Sequence, residues 1–186
     1  MRVTGGALRG RKLRVPPRGV RPTQDKVREA LFAILGDRVR GARFLDLCAG
    51  SGAVGLEAWS RGADFVCWVE INRHVFSGLR ANVEACCSEG IRLVQADAGR
   101  VLKPGFTEEP FDLVFADPPY SERHQERRRS LIGRIFQVLA DGSIMRKNGI
   151  LVIEQGSESP AFACSGWILT EDRNYGRSTL CFYQMK

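Results

Sequence analysis

One short segment limits the possible folds more than any other: Phe44-Leu45-Asp46-Leu47-Cys48-Ala49-Gly50-Ser51-Gly52-Ala53-Val54-Gly55. Phe44–Leu47 reads as a short buried strand, and residues 53–61 read as a helix. Between them, Gly50, Gly52 and Gly55 satisfy G-x-G-x-x-G. Glycines there permit a tight turn and a close backbone approach to a ligand at the start of the helix. The rest of the chain repeats the alternation. Strands are predicted at Phe65–Glu70, Ile91–Ala96, Phe111–Ala116 and Ile150–Ile153. Helices are predicted over residues 72–85 and 124–140, the latter with Leu131, Ile135, Val138 and Leu139 inward. Trp167–Thr170 and Thr179–Tyr183 read as a closing pair around Asn174-Tyr175-Gly176. Strand–helix alternation with short apolar strands predicts an α/β fold with a mostly parallel sheet covered on both faces.

The start of the chain is different. Residues 1–20 are rich in Gly and Arg, with apolar stretches near Val3 and at Leu13–Val15, and read as a hairpin or arm. Pro16, Pro17 and Pro22 set it apart, and Thr23 is a plausible N-cap for the next helix. In that helix Val27, Ala30, Leu31, Ile34 and Leu35 follow the spacing of one apolar face. Lys26, Arg28 and Glu29 are expected to point elsewhere. The division drawn is therefore a basic arm, 1–22, and one domain, 23–186. Charge follows the same line. The net +7 comes from residues 1–43, with 12 basic against three acidic side chains; the remainder has 16 against 18. One sign gathered at one end suggests a polyanionic partner, nucleic acid first, although a solvated basic face has the same composition.

Other classes are disfavoured. The longest stretch free of charge, Ser159–Thr170, has 12 residues, whereas a membrane span needs about 20. No apolar signal segment opens the chain, so a cytoplasmic location is expected. The six cysteines form no C-x-x-C pair and have only His74 and His124 as companions. Reduced core cysteines and no metal site are the expectation.

Taken alone, the glycine turn fits NAD, FAD or S-adenosylmethionine. Asp46, four residues before Gly50, favours the last, since a carboxylate there opposes a pyrophosphate but suits an ammonium and a sulfonium. Glu70, ending the second strand, is placed to accept both ribose hydroxyls. Asp97, after the third strand, is placed to accept from an adenine amine or to cap a helix. Asp117-Pro118-Pro119-Tyr120 follows the apolar run Leu113–Ala116, at the carboxyl end of a strand where α/β sheets bind ligands. These residues suit methylation of an exocyclic amine. Its lone pair is delocalised into the base, so two acceptors, the Asp117 carboxylate and the Pro118 carbonyl, favour a pyramidal nitrogen. Proline stiffens the carbonyl, and Tyr120 offers a stacking face. No cysteine adjoins a proline, which argues against thiolate-driven cytosine C5 methylation.

Together, Asp46…Gly50-x-Gly52, Glu70 and Asp117–Tyr120 resemble class I S-adenosylmethionine-dependent amino-methyltransferases. Further blocks narrow the resemblance. Arg2-Val3-x-Gly5-Gly6, Arg9–Leu13, Arg21-Pro22-Thr23, Val27–Phe32, Leu45–Ala58 and Tyr175-Gly176 are similar in order and spacing to the RsmD family over essentially the whole chain. The resemblance implies a Rossmann-like sheet of seven strands with one antiparallel, and S-adenosyl-L-methionine as donor. It implies methylation of a guanine N2 amine in 16S rRNA of the small ribosomal subunit. Carried over, Asp46, Ala49, Gly50, Ser51, Gly52, Glu70 and Asp97 would bind the donor. Asp117, Pro118, Pro119 and Tyr120 would hold the guanine amine. Cys48 departs from the family's pattern, where an aromatic is expected, and 157–166 matches nothing.

No room remains for a separate recognition domain, so rRNA contact is assigned to Arg9, Arg11, Lys12, Arg14, Arg18 and Arg21, with Arg123, Arg127, Arg128 and Arg129 near the site mouth. A monomer acting on 16S rRNA or on an assembling small subunit is expected. The competing expectations are a DNA adenine-N6 or cytosine-N4 methyltransferase, which shares the tetrapeptide, an NAD-dependent oxidoreductase, and a non-catalytic RNA-binding module.

Overall fold

A computed structural model describes residues 1–15, 24–118 and 125–186, without the side chains of Gln125, Arg127 and Arg128. Five strands, β1 (Arg43–Leu47), β2 (Phe65–Glu70), β3 (Ile91–Gln95), β4 (Phe111–Ala116) and β5 (Met145–Gly156), pair in parallel. The terminal hairpin adds β6 (Trp167–Tyr175) and β7 (Ser178–Met185). β7 runs antiparallel to both β5 and β6, so it is the one reversed strand. The order β3-β2-β1-β4-β5-β7-β6 is a seven-stranded sheet with one reversed strand, as the resemblance implies. Its direction of winding switches between β1 and β4, and ligands bind α/β sheets outside the strand ends at such a point.

Alternating side chains of the buried strands feed two apolar layers. Phe44, Val66, Trp68, Leu113, Phe115 and Val152 pack with α1 (Asp25–Leu35), α2 (Ala53–Ser60) and α3 (Arg73–Glu84). Leu45, Leu47, Cys67, Val114, Leu151 and Tyr183 pack with the short α4 (Ala98–Val101) and with α5 (Gln125–Leu139). Buried strands flanked by helices on both sides explain why β1, β2 and β4 read as unbroken apolar runs.

Several expected boundaries move. β5 starts at Met145, five residues before the apolar run, because Arg146–Gly149 enter the strand through a bulge against β4. β6 continues to Tyr175 as a polar edge strand, which apolar alternation does not reveal. The inward face of α5 is Ile132, Ile135, Phe136 and Leu139, with Leu131 and Val138 only partly buried. Arg28 is a clear correction: it is fully buried rather than directed to solvent.

The reason is the N-terminal hairpin, closed by an Arg2–Lys12 bridge, which covers α1 and α2. Val3 and Leu13 enter the same apolar layer as those helices. Buried Glu57 on α2 holds the hairpin in place. Its Oε2 accepts from the Thr4 backbone N–H at 2.8 Å, and its Oε1 accepts from the Thr4 hydroxyl at 2.8 Å and from Arg61 Nε at 2.9 Å. Arg28 Nε lies 4.0 Å from Glu57 Oε2, and Arg28 Nη2 donates to the Arg2 carbonyl at 2.6 Å. Ser60 completes the seam by accepting from Leu8 N–H and donating to the Gly5 carbonyl. Thr23, like all of residues 16–23 and 119–124, lies outside the described residues; α1 begins after Gln24.

Candidate active site

The carboxyl ends of β1, β2 and β4 carry the residues singled out in the sequence. β1 leaves the sheet at Cys48, which has φ 59°, a left-handed conformation costing about 1 kcal/mol for a side chain with a Cβ. The loop then closes through Gly52 N–H to the Ala49 carbonyl at 2.8 Å, with Gly50 and Gly52 also at positive φ. Two of the glycines are demanded by packing. A Cβ on Gly55 would lie 2.2 Å from the Trp68 indole nitrogen, and one on Gly52 would lie 2.3 Å from Leu79 Cδ1. Trp68, fully buried on β2, donates to the Gly52 carbonyl at 3.2 Å. Gly55 therefore seats α2 on the sheet, and Gly52 lets α3 close under the loop.

Two buried carboxylates fix this loop from below. Asp46 Oδ2 accepts the Gly55 N–H at 2.9 Å, at the start of α2. Burial pushes the Asp46 carboxyl well above the ordinary carboxylate range; the Gly55 hydrogen bond opposes this, and the Glu70 charge adds to it. Glu70 Oε2 accepts the Gly50 N–H at 3.0 Å, and its Oε1 accepts the Asn72 N–H at 2.8 Å. Glu70 thus ties the glycine loop to the turn that opens α3, where Asn72 caps the helix by accepting from His74 and Val75. A carboxylate offers about four lone-pair sites, so two remain on Glu70 for a ligand.

Asp117 continues the β4 ladder by donating its N–H to the Leu47 carbonyl at 3.3 Å. Leu47 pairs with Ala116 and Val69 in register, which sets Cys48 between Glu70 and Asp117. Burial raises the Cys48 thiol pKa far above its usual value, reinforced in turn by the charges of Glu70, Asp117, Asp46 and Asp97. Asp46, Glu70, Asp97 and Asp117 therefore all lie near Cys48, at the carboxyl ends of the strands. Among the described residues no three His, Cys, Asp or Glu side chains gather closely enough to hold a metal. Asp97 stands at the N-cap of α4, yet its side chain makes no capping hydrogen bond.

The other assigned residues divide clearly. Ala49, Gly50 and Ser51 lie in the loop, and Pro118 is buried beside Asp117. Pro119, Tyr120, Arg18, Arg21 and Arg123 lie outside the described residues, and nothing is described of the Arg127 and Arg128 side chains. Arg9, Lys12, Arg14 and Arg129 are exposed, while Arg11, also exposed, donates to the Ala85 carbonyl at 3.0 Å. Sequence inspection passed over Glu154, a buried carboxylate near the end of β5, one residue beyond the Ala116–Ile153 pair and so level with Asp117. It also missed Asn82, which binds the loop from α3. Both signals are non-local and need the sheet register or the helix docking to be seen.

The sequence profile of the family described as Conserved hypothetical protein 95 matches residues 1–184. The chain belongs to this family. Among curated members of similar sequence is the Escherichia coli K12 protein named Ribosomal RNA small subunit methyltransferase D, 35% identical over 187 residues, covering 99% of this chain and 89% of the relative. The Haemophilus influenzae protein of the same name is 32% identical and covers 99% and 93%. A solved Escherichia coli structure superposes with TM-score 0.85 at 32% identity, covering 100% of this chain and 98% of its own. More distantly, a chain solved in complex with SAH shares the fold alone, with TM-score 0.66 at 14% identity. In this family member the glycine loop and the acids Asp46, Glu70 and Asp117 stand together at the carboxyl ends of β1, β2 and β4.

Proposed function

We propose that this chain transfers a methyl group from S-adenosylmethionine to the exocyclic N2 amine of a guanine in 16S rRNA of the small subunit. The observation that carries the proposal is the pairing of two features at one end of the sheet: a loop held by Asp46 and Glu70, and Asp117 at the end of the neighbouring strand β4. Further support comes from the names of relatives at 32–35% identity, which specify ribosomal RNA of the small subunit.

The donor supplies an electrophilic methyl group on a sulfonium. Asp46 and the carboxylates around Cys48 favour the donor's positive charges, and Glu70 uses its free lone pairs on the ribose hydroxyls. Asp97 accepts from the adenine amine. Asp117 accepts one N–H of the guanine amine and the Pro118 carbonyl the other, which turns the nitrogen lone pair out of the ring plane. Tyr120 stacks on the base after it leaves its helix, a step costing a few kcal/mol. Rate then derives from alignment and electrostatics, with no covalent intermediate on the protein. Phosphates are gripped by Arg9, Arg11, Lys12, Arg14, Arg18 and Arg21 on the arm, and by Arg123, Arg127, Arg128 and Arg129, which follow Tyr120 closely in sequence. The basic arm, 1–22, is thus a substrate-positioning element attached to the catalytic body, 23–186.

Asp117→Ala tests the assignment. Methyl transfer is expected to fall to background while S-adenosylhomocysteine affinity, measured by calorimetry, changes little. Normal turnover by the variant would overturn the role given to Asp117.

A further inference from the structure

We infer that Asn82, on α3, is a positioning residue that couples the RNA-gripping arm to the donor loop, so that RNA on the arm tightens donor binding and the donor tightens RNA binding. This rests on the function proposed above.

The carboxamide of Asn82 is buried, at 4% exposure. Its Oδ1 accepts the Arg14 backbone N–H at 2.9 Å, and its Nδ2 donates to the Arg14 carbonyl at 2.9 Å. The second Nδ2 hydrogen goes to the Ser51 carbonyl, also at 2.9 Å. The side chain therefore pairs with both main-chain groups of Arg14, as a neighbouring strand would, and uses its remaining donor on the glycine loop. All three bonds depend on the amide's orientation. Reversed, it would set its NH2 against an N–H and its oxygen against two carbonyls. Aspartate has no donor for either carbonyl.

The position of these bonds gives them their meaning. The hairpin is anchored at the far end of α2, through Glu57 and Ser60. Its second anchor is Arg14, beside the start of α2, where the donor loop ends. Between the anchors lie the exposed Arg9, Arg11 and Lys12. Polyanion binding to this span bears on Arg14, and Asn82 connects Arg14 directly to Ser51. α3 touches the loop a second time through Leu79 against Gly52. One rigid helix thus contacts both binding elements, and a ligand that orders either side lowers the cost of ordering the other. Such coupling is reciprocal.

The test is S-adenosylhomocysteine affinity of the full chain, measured with and without saturating naked 16S rRNA. For the wild type the ratio of dissociation constants is expected to be about fivefold or more. In Asn82→Ala it should fall near one. Arg14→Ala removes the guanidinium alone, and Arg14→Pro removes in addition the N–H that meets Asn82 Oδ1 and fixes the local φ. The ratio should collapse in Arg14→Pro and persist in Arg14→Ala, and this pair carries the test should Asn82→Ala fail to fold. A merely structural role would weaken both ligands and leave the ratio intact. A wild-type ratio of one with both ligands bound, or an unchanged ratio in Asn82→Ala and Arg14→Pro, overturns the inference alone. Failure of the wild type to bind S-adenosylhomocysteine or rRNA at all overturns the proposed function, and the inference with it.

Discussion

Glu57→Gln should loosen the arm from the catalytic body, at a cost that follows from the geometry. The Glu57 side chain is fully buried, as is Arg28 beside it. The carboxylate accepts from Thr4 N–H, Thr4 hydroxyl and Arg61 Nε, all at 2.8–2.9 Å. An amide keeps one oxygen and turns an NH2 toward at least one of these donors. Hydrogen bonds to charged groups contribute about 1.5–3 kcal/mol each. Arg28 also loses one counter-charge but retains Asp25 at 3.0 Å, so the cost should lie at the lower end of the roughly 3–5 kcal/mol for breaking a buried pair. A loss of about 3 kcal/mol lowers the melting temperature of a chain this size by roughly 6–12 °C. Calorimetric unfolding reads the shift, and limited trypsin digestion at Arg9, Arg11 and Lys12 reads arm release. Glu171→Gln is the control, since the Arg173–Glu171 pair lies at the surface, with Glu171 half-buried, and should be worth less than about 1 kcal/mol. If Glu57→Gln melts within a degree of the wild type and resists trypsin equally, the account of the arm's attachment is wrong.

Three further outcomes are expected. Because burial raises the Asp46 pKa, the folded chain holds that proton more tightly than the unfolded chain, so this group's contribution to stability is lost as pH rises through the raised value. Asp46→Asn, which still accepts from Gly55, should therefore melt at or above the wild type at neutral pH while binding S-adenosylhomocysteine about tenfold or more weakly; lower stability with unchanged affinity would contradict this. Gly55→Ala drives a methyl group into Trp68 and should cost about 1–3 kcal/mol, seen as a lower melting temperature and reduced donor affinity; a silent substitution would show that the indole can yield. Neutralising Arg9, Arg11 and Lys12 together should weaken RNA binding and flatten its salt dependence with donor affinity unchanged; unaltered RNA affinity would remove the arm from the interface.

What the sequence reveals depends on how local each signal is. β2 and β4 are buried on both faces, so their limits at Phe65, Glu70, Phe111 and Ala116 coincide with the apolar runs. Asp46, Gly50, Gly52 and Glu70 lie within or just after such strands, which makes their convergence legible from spacing alone. Arg28 shows the opposite case. Helical periodicity puts it off the apolar face of α1, and only the hairpin folding back from residues far away in sequence buries it. Glu57 and Asn82 are hidden for the same reason, since their partners are 53 and 68 residues distant. β5 and β6 run past their apolar cores because a bulge and an edge position tolerate polar residues.

The most direct test of the central claim is transfer of a labelled methyl group from S-adenosylmethionine to small ribosomal subunits, naked 16S rRNA and DNA in parallel, followed by digestion to nucleosides. Label is expected in N2-methylguanosine from the ribosomal RNA and none in DNA. Label confined to DNA, or carried on adenine N6 or cytosine N4, would contradict it.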